Sequence, residues 1–381
     1  MNGSKFKRIA NVVFLRLFHK PILGPVLILF TIGLFMIFGA SSGEMVDSWN
    51  SSHQYAALGK QILWGIVAAC VGILTYRLGW VYFYEKSFFL YGLLTLLLVA
   101  VFIPGLGISA NGSRRWISLL GFSLQPSELL KVFLPAFFLK LTSEQEKIST
   151  HKQFWLLMGL VFFPVILIVL EPNNGTAGAI ALMLGFLILA RGISWRFWLI
   201  PLVIASSVVL CAAWRSTYIQ ARIVSYLNPE GDIKGKGHQP FQAKIAAGSG
   251  GLFGRGPARS IQKLSYLPEA QNDYIAAIYA EEFGFVGIIA LLAIYIWLLS
   301  EILRIMVLQK TEVGFLWTLS LLYLFGFHFF FNLAVVSGLM PCTGLNLPFF
   351  SQGGSSLMAN AMSIGILLSL EKKPSPVPCN K

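Results

Sequence analysis

The chain has 381 residues, of which 56% are hydrophobic and 12% charged, about half the charge of an ordinary soluble domain. That balance excludes a soluble globular domain, and open sheets cannot span lipid, so the fold class is an all-α integral membrane protein. The net charge of +13 suits cytoplasmic loops and anionic partners in the bilayer and implies no nucleic acid.

Residues 1–20 form a basic tail with Lys5, Lys7, Arg8, Arg16 and Lys20. Pro21 to Ala40 is apolar and long enough to span. Nine further spans centre near residues 69, 96, 133, 162, 182, 205, 287, 327 and 361, which predicts about ten transmembrane helices over 21–371 and a tail over 372–381. Arg77, Lys86, Lys140, Lys152, Arg191, Arg196, Arg304 and Lys310 all fall in alternate loops. The positive-inside rule therefore places both termini in the cytoplasm and 215–274 outside, between helices 7 and 8. The segments 105–124 and 215–274 are basic although they lie on the outer side, the second with eight Lys or Arg against four Asp or Glu. Anionic headgroups account for such charge, and so does a phosphorylated substrate. Cys70, Cys211, Cys342 and Cys379 are scattered and suggest neither a disulfide framework nor a metal cluster.

Arg115 and Trp116, in the first basic outer segment, suit an anion site with an aromatic wall; an interfacial tryptophan alone would look the same. Gln125-Pro126-Ser127-Glu128 opens the fourth span, with proline and an acid where a helix start prefers them. Lys131 lies three residues on and can pair with Glu128 on one face. Glu171-Pro172-Asn173-Asn174-Gly175-Thr176 reads as a tight turn between spans. The Gly-rich stretch from Gly248 to Gly256 carries Arg255, and Arg259 and Lys263 follow it. Its backbone N–H groups offer a phosphate cradle.

Tyr266 to Gly287 leads into the eighth span. A helix beginning near Glu269 would set Asp273 at the membrane surface and Glu281 on the same face about 12 Å deeper. Charges in hydrocarbon are costly and need partners, so Glu128, Lys131 and Glu281 are expected to pair across the bundle, with Glu282 a further structural charge. The last outer loop, Gly338 to Leu357, has irregular backbone that must be buried or line a cavity. Ser355 is its candidate substrate contact.

NGSRRWISL, QPSELLK, GTAGAIAL, GSGGLFGRG, QKLSYLPEAQNDYIAAIYAEEFGFVG and GLNLPFFSQGGSS, in this order, resemble the SEDS family of FtsW, RodA and SpoVE over the whole membrane region. The segment Ser260 to Ala270 is most similar to the FtsW and SpoVE branch. The resemblance implies a ten-helix fold and a peptidoglycan glycosyltransferase that polymerises lipid II outside the bacterial cytoplasmic membrane, for septal wall synthesis. It puts the catalytic aspartate at Asp273, consistent with a carboxylate acting as general base on an acceptor hydroxyl. Arg115, Trp116, Lys263, Arg255, Arg259 and Ser355 would bind the lipid diphosphate substrate. A divalent cation, Mg2+ or Mn2+, is implied, and no organic cofactor. The implied partners are a class B penicillin-binding transpeptidase and other divisome membrane proteins. The chain departs from the family at Gln271-Asn272, where His-Thr is usual, at Asn173, where an aspartate is common, and at Gln352, where a tyrosine is usual. A RodA-type elongation polymerase is an alternative, as is a scaffold that recruits a transpeptidase. A lipid II flippase lined by Glu128, Lys131, Glu281 and Glu282 is a third.

Overall fold

A computed structural model describes residues 20–41, 52–110, 113–119, 122–143, 151–193, 238–263 and 271–372, with isolated positions between 197 and 220. The described elements are α1 (Leu23–Ser41), α2 (Ser52–Leu78), the short α3 (Trp80–Glu85), α4 (Ser87–Val101), β1 (Gly107–Ala110), β2 (Ser113–Leu119), β3 (Phe122–Leu124), α5 (Pro126–Ser143), α6 (His151–Leu170), α7 (Asn174–Ala190), α8 (His238–Ser249), α9 (Ile275–Val307), α10 (Glu312–Val336) and α11 (Gly354–Glu371). Nine of the ten expected spans coincide with α1, α2, α4, α5, α6, α7, α9, α10 and α11. The span near residue 205 lies outside the described residues, as do most of 215–237, 264–270 and both tails.

The helices divide by composition in the way a bilayer demands. α1, α6, α9 and α10, with the Tyr55–Leu78 part of α2, are long and apolar enough to cross a membrane, while α4 and α7 are shorter and apolar. α5 and α11 carry charges and hydroxyls and are buried nearly all round, so they form the inside of the bundle. α5 starts at Pro126 as its sequence predicts. Lipid supplies no hydrophobic drive between helices, so close approach depends on small residues. A Cβ on Gly72 of α2 would lie 3.0 Å from the Ala361 carbonyl oxygen of α11, and one on Gly365 would lie 2.5 Å from the Gly72 carbonyl oxygen. Aromatic stacking fills the wider gaps, as between Tyr295 and Phe329, whose ring centroids are 4.1 Å apart.

The two sets of loops separate. Those assigned to the inner side hold ion pairs: Lys20 with Glu371 at 2.7 Å, Arg304 with Glu371 at 2.8 Å, Lys140 with Glu85 at 3.1 Å, and Arg191 with Glu312. Among the described residues, four stretches at the outer side, within 115–128, 173–176, 272–273 and 344–356, converge on a polar cavity. The outer side also adds a feature to the all-helical reading: 107–124 is a three-stranded antiparallel sheet in the order β1-β2-β3, with Trp116 opposite Ile108 and Ile117 opposite both Gly107 and Leu124.

The start of α9 corrects the sequence reading. The helix begins at Ile275, and residues 271–274 are a turn. Asp273 therefore precedes the helix and does not share a face with Glu281. The helix is interrupted again at Gly284, whose φ is +66°, a conformation open mainly to glycine. The Gly-rich turn after α8 inserts there. Arg255 N donates to the Glu281 carbonyl and Gly256 N to that of Glu282, while Phe285 N and Val286 N donate to the carbonyls of Gly251 and Leu252. Side chains are excluded from this junction: a Cβ on Gly254 would lie 2.1 Å from the Glu282 carbonyl oxygen, and one on Gly250 2.0 Å from that of Ala280.

Candidate active site

A cavity of about 260 Å³ opens between the outer loops. Arg115 and Trp116 enter it from β2, and Ser123 and Gln125 from β3 and the start of α5. Glu128 lies on α5, Asn173 and Thr176 at the start of α7, and Asn272 and Asp273 before α9. The loop from Gly344 to Ser356 closes the ring. Four of the residues expected at the site, Arg115, Trp116, Asp273 and Ser355, are thereby brought together from distant parts of the sequence, and Glu128, expected as a structural charge, joins them.

The backbone of Asp273 is fixed from α10. Asn332, which is buried, donates from Nδ2 to the carbonyls of Asp273 and Leu345, each at 3.0 Å. The loop that faces Asp273 is held in the same way. His328 Nδ1 lies 3.2 Å from the Asn346 carbonyl oxygen, Tyr295 donates to that of Pro348 at 2.6 Å, and Gln61 from α2 reaches that of Ser351 at 3.5 Å. Gly344 packs beside the carboxylate: a Cβ there would lie 3.6 Å from Asp273 Oδ2. Ser355 is bonded on both sides. Its Oγ accepts from Gln125 N at 3.0 Å and donates to the Ser123 carbonyl at 3.2 Å, so it joins β3, α5 and α11 at the cavity wall.

Glu128 and Lys131 pair at 2.8 Å. Glu281 does not join this pair. It is fully buried and receives Ser260 Oγ, Ile261 N at 3.1 Å and Gln262 N at 3.3 Å, with Arg255 Nε 3.6 Å away. Glu282 accepts from Ala258 N at 2.9 Å and pairs with Lys263 at 3.2 Å. The expected pairing of Glu281 across the bundle is thus replaced by local contacts with the Gly-rich loop.

The same contacts revise the basic patch. Lys263 is 4% exposed at its side chain and divides its ammonium between Glu282 and the Ala258 carbonyl. Arg255 leans on Glu281 and the Ser249 carbonyl, and Arg259 is exposed outside the cavity lining. The amides of Arg255 and Gly256 donate to α9 carbonyls and that of Gly254 to the Gly250 carbonyl, so these three are not turned to a phosphate. Of the four cations proposed, Arg115 is the one that lines the cavity among the described residues. Its Nε donates to the Glu171 carbonyl at 3.3 Å and its guanidinium also donates to the Pro172 carbonyl.

Further positive potential comes from the backbone. The N-termini of α5, α7 and α11 all end at this cavity, at Gln125, Asn173 and Gly353–Ser356. Each lays the positive end of a helix dipole there, the usual site for an anion, although at α5 Pro126 has no N–H and the N–H groups of Gln125 and Glu128 donate to Ser355 Oγ and the Gln125 carbonyl. The sequence reading missed this convergence, along with Asn332, His328 and Glu171. Asn332 and His328 were visible as polar residues within an apolar run, but their targets on the facing loop were not.

Arg115→Ala is expected to slow turnover by about 10- to 100-fold, the scale of a lost charge-assisted hydrogen bond. Arg115→Lys should restore only part of it, because an ammonium cannot reach both carbonyls and the cavity in one plane. Wild-type turnover in both purified variants at matched substrate would remove Arg115 from the site.

A helical bundle whose apolar spans surround a polar cavity, lined by an aspartate-bearing turn and three helix N-termini, defines a multi-pass membrane protein with that cavity at one face. Residues 21–375 match the FTSW_RODA_SPOVE family, described as cell cycle protein, and the chain belongs to that family. It is 34% identical over 352 residues to "Probable peptidoglycan glycosyltransferase FtsW" of Trichlorobacter lovleyi, covering 91% of each chain. It is 34% identical over 348 residues to stage V sporulation protein E of Bacillus subtilis, covering 91% of this chain and 94% of that one. Among solved structures it resembles a chain of a peptidoglycan synthase complex that coordinates polymerization and crosslinking, with a TM-score of 0.71 and 27% identity over 92% of this chain and 96% of that one. The Thermus thermophilus rod shape determining protein RodA gives a TM-score of 0.63 at 25% identity, over 92% and 95% of the two chains.

Proposed function

We propose that the chain is a peptidoglycan glycosyltransferase that polymerises lipid II at the outer face of the bacterial cytoplasmic membrane, with septal synthesis as its setting. The observation that carries this reading is one cavity that holds Asp273, Arg115 and three helix N-termini. Glycosyl transfer needs a base for the acceptor hydroxyl and a positive environment for the departing lipid diphosphate, and these groups supply both. Asp273 takes the proton. Arg115 and the N-termini of α5, α7 and α11 stabilise the charge that grows on the leaving group, and Trp116 forms the wall beside them. Lys263, Arg255, Glu281 and Glu282 hold the outer loop on α9.

A divalent cation fits this site as an ion shared with the substrate. Asp273 and Gln352, whose Oε1 is buried without a described hydrogen-bond partner, would hold it, and it would neutralise the diphosphate. Both termini are assigned to the cytoplasm by loop charge, and a class B penicillin-binding transpeptidase is the proposed partner. The resemblance to a chain from a synthase complex supports that pairing.

The test is glycan-strand formation from lipid II by the purified full-length protein in lipid vesicles, alone and with a transpeptidase of that class. Strands resolved by electrophoresis are the expected result. Lipid II consumed in neither arm, by protein that remains folded, would reject the reading.

A further inference from the structure

Glu171 has no role in the mechanism above, yet it lies directly behind the cavity's arginine. It follows the last residue of α6, is 1% exposed, and has both carboxyl oxygens buried with no described hydrogen-bond donor in reach. A buried carboxyl without donors disfavours its charged form. Its own main-chain carbonyl and that of Pro172 accept from Arg115, so the guanidinium is held from β2 against the small turn that carries the carboxyl. The neighbouring side chain of the turn is uncharged: Asn173 lines the cavity and donates to Ser127 Oγ at 3.5 Å. Among the described residues, Arg115 is the charged group that acts on Glu171.

We propose that Glu171 is a positioning residue that acts through Arg115: it remains a neutral acid while the cavity holds an anion, and its ionisation weakens that hold. The proposal rests on the reading of the cavity as a diphosphate site. Burial pushes the Glu171 carboxyl up to about 8, against the pull of Arg115 in the other direction. The sign follows. Below that value the acid is neutral and leaves the arginine's charge to act on the cavity. As pH rises through it, a negative charge forms beside the guanidinium and reduces its field at the ligand. Linkage makes the effect reciprocal, so a bound anion should raise the carboxyl's pKa by the factor through which ionisation weakens binding.

The experiment uses the full-length protein in lipid nanodiscs with farnesyl diphosphate as the probe, from about pH 7 to about pH 10. Wild-type affinity should fall by about tenfold across that range, equivalent to one pKa unit of coupling, and Glu171→Gln should flatten this dependence. Infrared spectra of the wild-type protein should lose a protonated-carboxyl band in the same range, later when farnesyl diphosphate is present. The Gln variant should lack that band. The infrared titration needs no substitution, so it decides the matter even if the variant folds poorly. A carboxyl already ionised at about pH 7 would overturn the proposal. So would equal pH dependence in the two proteins. Absence of farnesyl diphosphate binding at every pH would overturn the diphosphate reading and the proposal with it, whereas binding with a flat profile in the wild type would overturn the role of Glu171 alone.

Discussion

Asp273→Asn should polymerise lipid II slower than the parent chain by about 10²-fold or more, the usual scale for loss of a general base. The substitution keeps the shape of the side chain and its capacity to accept a hydrogen bond, but the amide cannot readily take a proton. The grip of Asn332 on the residue's carbonyl at 3.0 Å does not involve the carboxylate, so the substitution leaves that contact intact. Asp273→Glu should recover only part of the rate. Its longer side chain starts from the same fixed backbone, with Gly344 packed beside the carboxylate, and misplacement is itself costly. Single-turnover elongation of labelled lipid II, with binding followed in parallel, separates the outcomes. Near-normal elongation by the asparagine variant would remove Asp273 from the chemistry, and lost binding with normal turnover of bound substrate would make it a ligand instead.

Lys263→Met is expected to act on stability. Lys263 and Glu282 form a buried pair with side chains 4% and 1% exposed, and removing one member leaves the other as an uncompensated buried charge at about 3–5 kcal/mol. Glu282 keeps one donor, Ala258 N, which is too little to satisfy a carboxylate. The double variant Lys263→Met with Glu282→Gln should recover most of the loss, since no charge is then stranded. Thermal denaturation in detergent, compared across the two single variants and the double, measures the coupling. Turnover per folded molecule should be nearly that of the wild type in the double variant. If the double variant were as stable as the parent but inactive, Lys263 would return to the substrate site from which its contacts exclude it.

These two substitutions mark where the sequence was readable and where it was not. Spans were legible because a bilayer allows few solutions: runs of about 20 apolar residues and basic inner loops report directly on length and side. Asp273, Arg115, Trp116, Glu128 and Ser355 were legible because each stands in a motif of fixed order, and the cavity does collect them. The basic Gly-rich loop was misread because the decisive fact is a backbone conformation. Nothing in the one-dimensional order of Gly250, Gly254 and Gly284 indicates that the three meet and let two main chains touch. Once they do, Arg255 and Lys263 fall opposite Glu281 and Glu282 and their charges are used locally. The convergence of three helix N-termini was hidden for a similar reason, since dipoles add in space and leave no signature in composition. Glu171 read as an ordinary turn residue, because only burial distinguishes a neutral acid from a solvated one.

The interruption at Gly284 also determines how the reacting end of the protein is carried. Above it, the first turns of α9 share main-chain and carboxylate bonds with 255–262, and just below it Phe285 N and Val286 N bond to Gly251 and Leu252, so the outer loop is fastened across the break. Below it, the same helix continues as a rod among its membrane neighbours, with Arg304 anchored to Glu371 near the far end. The break in the helix is thus splinted by the loop packed into it. Asp273 lies just above the break and is tied to α10 through Asn332, so the aspartate keeps its place relative to the membrane helices.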